Sequence, residues 1–128
     1  MSSTTSSATT TAMVLLGHGS RDPLWQGPIQ SLAARIRLAS PAMVVQTAFL
    51  EWATPDLTTS VESLMADGHR SIRLLPLFFG MGKHAREDLP QLVNELRARH
   101  PDLQLEVMDS AGEQDRVLDL LAQLALKG

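Results

Sequence analysis

The chain contains no cysteine among its 128 residues. This absence excludes disulfide bonds, thiolate zinc sites and cysteine-ligated iron–sulfur clusters. It also fits a reducing compartment, and we expect a cytoplasmic location. No apolar run approaches the ~18 residues that a membrane-spanning helix requires, so we expect no membrane insertion.

An excess of positive charge is also lacking. The formal net charge is -3 and the isoelectric point is about 5.7. Nucleic-acid binding usually requires a basic surface, so we expect no nucleic-acid partner. The phosphate-binding patterns G-x-x-x-x-G-K-S/T and G-x-G-x-x-G do not occur either.

The first eleven residues are rich in serine and threonine and carry no charged side chain. They lack the basic start and apolar centre of a secretory signal, and the arginines of a mitochondrial transit peptide. We predict that residues 1–11 form a disordered tail. The hydrophobic fraction of 44% suits a globular core, and residues 12–128 are the length of one domain.

Short apolar runs alternate with helical stripes along this domain. We predict strands over residues 12–16, 43–50, 71–75 and 103–108, the last as an edge strand. The first helix starts at Pro28, the second is capped by Thr54 with Pro55 in its first turn, and the third ends before Pro101. Val117, Leu120, Leu121 and Leu124 define a fourth helix. This β-α alternation predicts one doubly wound α/β domain, with a four-stranded parallel sheet in the order 2-1-3-4 and helices on both faces.

Two histidines follow strands that flank the reversal of this strand order. His18 follows the first strand, and His84 lies in the loop after the third. Doubly wound sheets bind ligands at that position, so we predict that both rings face one cleft. The alternative is that they are ordinary surface histidines, which is our interpretation of His69 and His100.

Two neutral imidazoles in one cleft suit a divalent metal such as Co²⁺, Ni²⁺, Fe²⁺ or Zn²⁺, and can accept protons near neutral pH. Glu51, at the end of the second strand, could add a carboxylate. Such a ligand set leaves coordination positions open, as a metal in transit or in catalysis requires.

Basic and glycine-rich residues surround the two histidines. Arg21, Lys83 and Arg86 could form a basic rim for a ligand with several carboxylates, or could be solvated surface charges. The segment Gly80-Met81-Gly82, beside Phe78 and Phe79, could be a flexible flap for a flat ligand or a plain connection. Trp25 and Trp52 could stack on a planar ligand or belong to the core.

The segments G-H-G-S-R-D-P (17–23), A-F-L-E (48–51) and P-L-F-F-G-M-G-K-H-A-R-E-D-L-P (76–90) resemble those of the small sirohydrochlorin chelatases. The resemblance extends from about Met13 to the final helix. Lys83 departs from the family pattern, in which a small residue, often glycine, is expected.

The resemblance implies a class II chelatase fold and a homodimer of single-domain chains. It implies insertion of Co²⁺, Fe²⁺ or Ni²⁺, as a substrate, into a sirohydrochlorin-type tetrapyrrole with eight carboxylates, without a prosthetic group. The family's two active-site histidines fall on His18 and His84, which would bind the metal and accept protons with Glu51 assisting. The candidate substrate contacts are Ser20, Arg21, Phe79, Gly80, Met81, Gly82, Lys83 and Arg86.

Two other functions are considered. A non-catalytic metal or tetrapyrrole carrier could have the same fold, because the sequence does not separate binding from turnover. Histidine phosphatases also place a histidine after the first strand, but they carry an arginine immediately before it, where this chain has Gly17.

Overall fold

A computed structural model describes residues 11–128, except for the side chains of Pro23, Trp25 and His84. The predicted tail therefore lies outside the described residues, apart from Thr11. The strands are β1 (Ala12–Gly17), β2 (Val44–Phe49), β3 (Ser71–Pro76) and β4 (Gln104–Val107). They form one parallel sheet in the order β2-β1-β3-β4, which confirms the predicted topology.

Four α-helices connect and follow these strands. They are α1 (Gly27–Ala39), α2 (Leu57–Ala66), α3 (Lys83–Arg99) and α4 (Asp115–Lys127), with short 3₁₀ helices at Pro23–Gln26 and Ala111–Glu113. Within the described range, no helix combines the length and the apolar character needed to cross a membrane.

The sheet separates two apolar clusters. On one face, α2 and α3 pack through buried residues such as Val61 and Val93. On the other face, Ile29 and Ala33 of α1 pack against Leu15, Val45 and other residues of the sheet. The central strand β1 has buried side chains on both faces, because Val14 and Leu16 belong to the first cluster and Leu15 to the second.

The start of α2 differs from the prediction. Asp56, not Thr54, is the capping residue, and its Oδ1 accepts a hydrogen bond from the Thr59 N–H at 2.8 Å. The hydrogen bonds from Thr59, side chain first and backbone second, lower the pKa of Asp56. Pro55 precedes the helix, and its carbonyl accepts a hydrogen bond from the N–H of Phe49 at 3.0 Å. Gly68 has φ +99 after the end of α2, as its predicted left-handed conformation requires.

Two further elements differ from expectation. His84 was predicted to lie in the loop after the third strand, but its backbone belongs to the first turn of α3. Helix α4 forms as predicted, yet none of its residues is buried. Its apolar side chains, including Leu120 and Leu124, are exposed in the single chain.

Candidate functional site

His18 lies directly after β1, at the carboxyl end of the sheet. Its side chain is 60% exposed. The imidazole makes a T-shaped contact with the ring of Phe78, with the two ring centroids 6.0 Å apart and the ring planes at 79° to each other. An apolar aromatic neighbour on one side limits the orientations of the imidazole while leaving much of it accessible. The imidazole of His18 is therefore restrained on one side and accessible to a ligand on the other.

Glu51 is brought to His18 by an extension of the sheet pairing. The N–H groups of Leu50 and Glu51 donate to the carbonyls of Gly17 and His18, each at 3.1 Å. The two loops thus run side by side beyond the last paired residues, Gly17 and Phe49. As a result, the Glu51 Oε1 lies 3.2 Å from the His18 Nε2, with the Glu51 side chain 48% exposed.

The distance between these two atoms fits a metal ion that both of them bind. Ligand atoms at ~2.1 Å from one metal, separated by an angle of ~90–110°, lie about 3.0–3.4 Å apart. The observed 3.2 Å lies within this range. The His18–Glu51 pair supplies two metal-ligand atoms. Among the side chains described within residues 11–128, which do not include that of His84, no group of three or more His, Cys, Asp or Glu could hold a metal ion.

Two clefts flank His18. The larger has a volume of about 680 Å³ and lies between the strand ends and the start of α1. Its walls are mostly apolar, and a cleft of this size suits a small-molecule ligand. It is lined by Gly17, His18, Gly19, Ser20, Gln26, Pro28, Ile29, Leu32, Phe49 and Leu77.

The smaller cleft has a volume of about 390 Å³ and reaches the start of α3. Lys83 and Ala85, the neighbours of His84 in the chain, both line it together with His18. The backbone of His84 therefore lies between two residues of this cleft. The structure does not describe the His84 side chain, so the predicted approach of its ring to the His18 ring stays a prediction. The remaining lining residues are Leu77, Phe78, Phe79, Gly80 and Gly82.

The predicted basic rim divides into different environments. Lys83 is exposed at the start of α3, and the Arg21 guanidinium carbon lies 4.0 Å from the centroid of the Trp52 ring. Arg86 instead supports the glycine-rich loop: its Nε donates to the Met81 carbonyl at 3.0 Å. A further oxygen, Glu113 Oε2, lies 3.7 Å from its Nη2.

Ser20 and Phe79, two other predicted contacts, lie at the clefts. The Ser20 Oγ accepts a hydrogen bond from the Asp22 N–H at 3.1 Å, which shapes the loop after His18. Phe79 is exposed for such a large apolar side chain, at 73%. Gly80 and Gly82 have open space around them, whereas Met81 is partly buried against the core.

Several contributors to the site were not identified from the sequence. Ile29 and Leu32 follow a helical spacing that assigns them to the core, yet both also line the larger cleft. No periodic pattern in the sequence indicates the contact between Phe78 and His18. The stacking of Arg21 on Trp52 joins positions far apart in the sequence, which only the register of β1 and β2 brings together.

These features define a class of protein: a doubly wound α/β domain with an accessible histidine–carboxylate pair between two clefts at the strand-order reversal. Within that class, the CbiX family model matches residues 12–127, and the chain belongs to the CbiX family.

Individual relatives agree with this assignment. The sirohydrochlorin cobaltochelatase of Methanococcus aeolicus is 30% identical over 82 residues, which are 64% of this chain and 57% of the relative. That of Saccharolobus solfataricus is 26% identical over 117 residues, 87% of this chain and 90% of the relative. The crystal structure of a CbiX protein from Marinobacter aquaeolei VT8 is similar with a TM-score of 0.77, at 28% identity, over 91% of this chain and 94% of that one.

Proposed function

We propose that the protein inserts a divalent metal ion into a sirohydrochlorin-type tetrapyrrole and releases two protons. The observation that carries the proposal is the 3.2 Å separation between Glu51 and His18, which lines an apolar cleft of about 680 Å³. Relatives named as sirohydrochlorin cobaltochelatases support this substrate and favour Co²⁺ as the metal. Fe²⁺ and Ni²⁺ are the other candidate metals, so the product would serve cobalamin-, sirohaem- or nickel-tetrapyrrole synthesis.

The chemistry requires a metal site with open positions and a base beside the ring. Insertion replaces two pyrrole protons with one M²⁺. The two released protons carry the same charge as the inserted ion, so the net charge of the macrocycle does not change. The imidazole of His18 and the carboxylate of Glu51 can hold the ion while it loses water, and can then accept a proton. We assign the second metal-binding and proton-accepting role to His84, whose backbone borders the smaller cleft.

The surroundings of the pair suit a flat, acidic substrate. The apolar lining of the larger cleft fits the face of a macrocycle, whereas the ring's carboxylates project from its edge into water. Arg21, next to Ser20 of the larger cleft, and Lys83, at the smaller cleft, are exposed cations that can pair with these carboxylates. The remaining proposed contacts are Ser20, Phe79, Gly80, Met81, Gly82 and Arg86.

We also propose a cytoplasmic homodimer in which α4 is the contact. The exposed Leu118, Leu120, Leu121 and Leu124 make an apolar face on this helix, which buries no residue in the single chain. The charges at the two ends of α4 favour a second copy of the same helix as the partner that covers this face. In a two-fold antiparallel pair, the acidic first turn at Asp115 meets the basic last turn at Lys127 of the other copy.

Metal insertion assays with sirohydrochlorin and Co²⁺ test the activity through the change in absorption bands. We expect the parent protein to convert many equivalents of ring per chain above the protein-free rate. Conversion that stops near one equivalent would contradict catalysis and indicate a carrier.

Single histidine variants test the assigned residues in the same assay. His18→Ala and His84→Ala should reduce insertion to the protein-free rate while their far-ultraviolet circular dichroism stays like that of the parent. His69→Ala, a partly buried histidine just after α2, is the matched control and should insert normally. Insertion by His84→Ala at the parent rate would show that the role given to His84 is wrong.

A further inference from the structure

Trp52 has a backbone conformation that the packing of its own side chain does not explain. Its φ is +66, and it is the one residue other than glycine with a positive φ in the described part of the chain. A bulky residue in this region is strained. The indole is also 57% exposed, so burial of apolar surface does little to offset the strain.

The chain on both sides of Trp52 enforces the conformation. The preceding Glu51 donates its N–H to the carbonyl of His18, and Phe49 donates to the carbonyl of Pro55. Trp52 therefore lies between two residues whose backbones are hydrogen-bonded, Glu51 and Pro55, and it directly follows the carboxylate that faces His18. Strained residues held in this way by their surroundings concentrate at functional sites.

The indole face is occupied by the guanidinium of Arg21, whose Cζ lies 4.0 Å from the ring centroid. The ion pairs between described residues do not include Arg21. A stacked guanidinium uses its flat face for the ring and keeps the N–H donors on its edge for a carboxylate.

The stack and the His18–Glu51 pair join the same two loops. Arg21 comes three residues after His18, and Trp52 comes one residue after Glu51. We infer that Trp52 is a positioning residue that holds the Arg21 guanidinium, one residue after Ser20 of the larger cleft, to bind one peripheral carboxylate of the substrate. The inference rests on the proposed function.

A double-mutant cycle tests the inference in the Co²⁺–sirohydrochlorin assay. Loss of a preoriented charge contact weakens ground-state binding, so Trp52→Leu and Arg21→Gln should each raise KM about fivefold with little change in kcat. Trp52→Phe retains an aromatic face and should stay close to the parent. The double variant should be no worse than Arg21→Gln alone, because Trp52 acts through Arg21. Arg35→Gln, an exposed charge in α1, is the control and should leave KM unchanged.

Trp52→Asn separates positioning from a structural role. Asparagine tolerates a positive φ better than tryptophan does, so this variant should melt at or above the parent temperature while its KM rises as in Trp52→Leu. A melting temperature well below that of the parent, or additive effects of Trp52→Leu and Arg21→Gln on KM, would overturn the inference alone. If the parent neither binds nor metallates sirohydrochlorin, the proposed function fails and the inference fails with it.

Discussion

A β-carbon on Gly19 would lie 1.6 Å from the carbonyl oxygen of Glu51. The loop after β1 therefore touches the backbone of the loop after β2, and only a residue without a side chain permits this approach. Gly19 also has φ +104, a conformation that glycine adopts at little cost. The contact keeps the two loops close enough for the His18 and Glu51 side chains to meet.

Gly19→Ala should both destabilise the protein and disturb the site. A positive φ and a backbone clash together lead us to expect a loss of about 1–3 kcal/mol or more in the free energy of unfolding. Chemical denaturation measures this loss, and the insertion rate should fall as well. Gly27→Ala is the control: its β-carbon would meet no atom within 4 Å, and its φ is -53. Equal stability of the two variants would contradict the proposed contact between the loops.

Glu51→Gln should slow metal insertion while preserving the shape of the site. Glutamine keeps the size and shape of the side chain beside the His18 ring, but it has no charge to share with a metal ion or a proton. Loss of a residue that supports a metal ligand typically reduces affinity or activity about 10–100-fold, and we expect an effect of that size on insertion. The control is Glu95→Gln, an exposed carboxylate of α3. If both variants insert Co²⁺ at the parent rate, Glu51 has no role in the reaction.

Glu62 should make stability depend on pH in the acid range. The His100 side chain, 2.9 Å from its Oε2, and then Arg99 hold the pKa of Glu62 below its ordinary value of 4.5. A carboxyl group with a lowered pKa in the folded state stabilises it fully above the unfolded pKa, and this contribution is lost as pH falls through the folded pKa. Glu62→Gln should therefore melt below the parent at pH 6–7. That difference should disappear as the pH falls well below 4.5. If the difference in melting temperature stayed constant from neutral to acid pH, its cause would be packing and not the charge of Glu62. Glu95→Gln is the control and should melt like the parent at each pH.

The sequence predicts the sheet well because each buried strand leaves a local signal, an apolar run that ends at a loop. The strand-order reversal then places the His18 loop and the start of α3 together, although they are distant in the chain. Local patterns could not predict that Asp56 caps α2, because Thr54 and Pro55 also form an acceptable helix start. They could not predict the Arg21–Trp52 stack either, since it depends on the register of β1 and β2 and on a strained backbone.

The same reasoning identifies the leucines of α4 but not what covers them, because a periodic apolar stripe does not distinguish a core from an interface. Leu120 and Leu124 are 56% and 54% exposed, and burying them would stabilise a dimer by about 1 kcal/mol or more for each side chain. A helix of this length is too small for a standard interface of about 800 Å² per partner, so neighbouring surface must contribute. Exposed Val107 of β4, which borders a cleft with Asp115 and Arg116 of α4, is the adjacent candidate.

Replacing both leucines by aspartate tests the dimer. We expect the parent to sediment as a particle of twice its 13.9 kDa chain mass, and Leu120→Asp/Leu124→Asp to sediment as a single chain. Buried carboxylates in a paired helix face have no partner, and desolvating them would cost more than the interface gains. Leu38→Asp, which changes an exposed leucine of α1, should remain dimeric. A monomeric parent would refute the homodimer, and a dimeric double variant would place the interface away from α4.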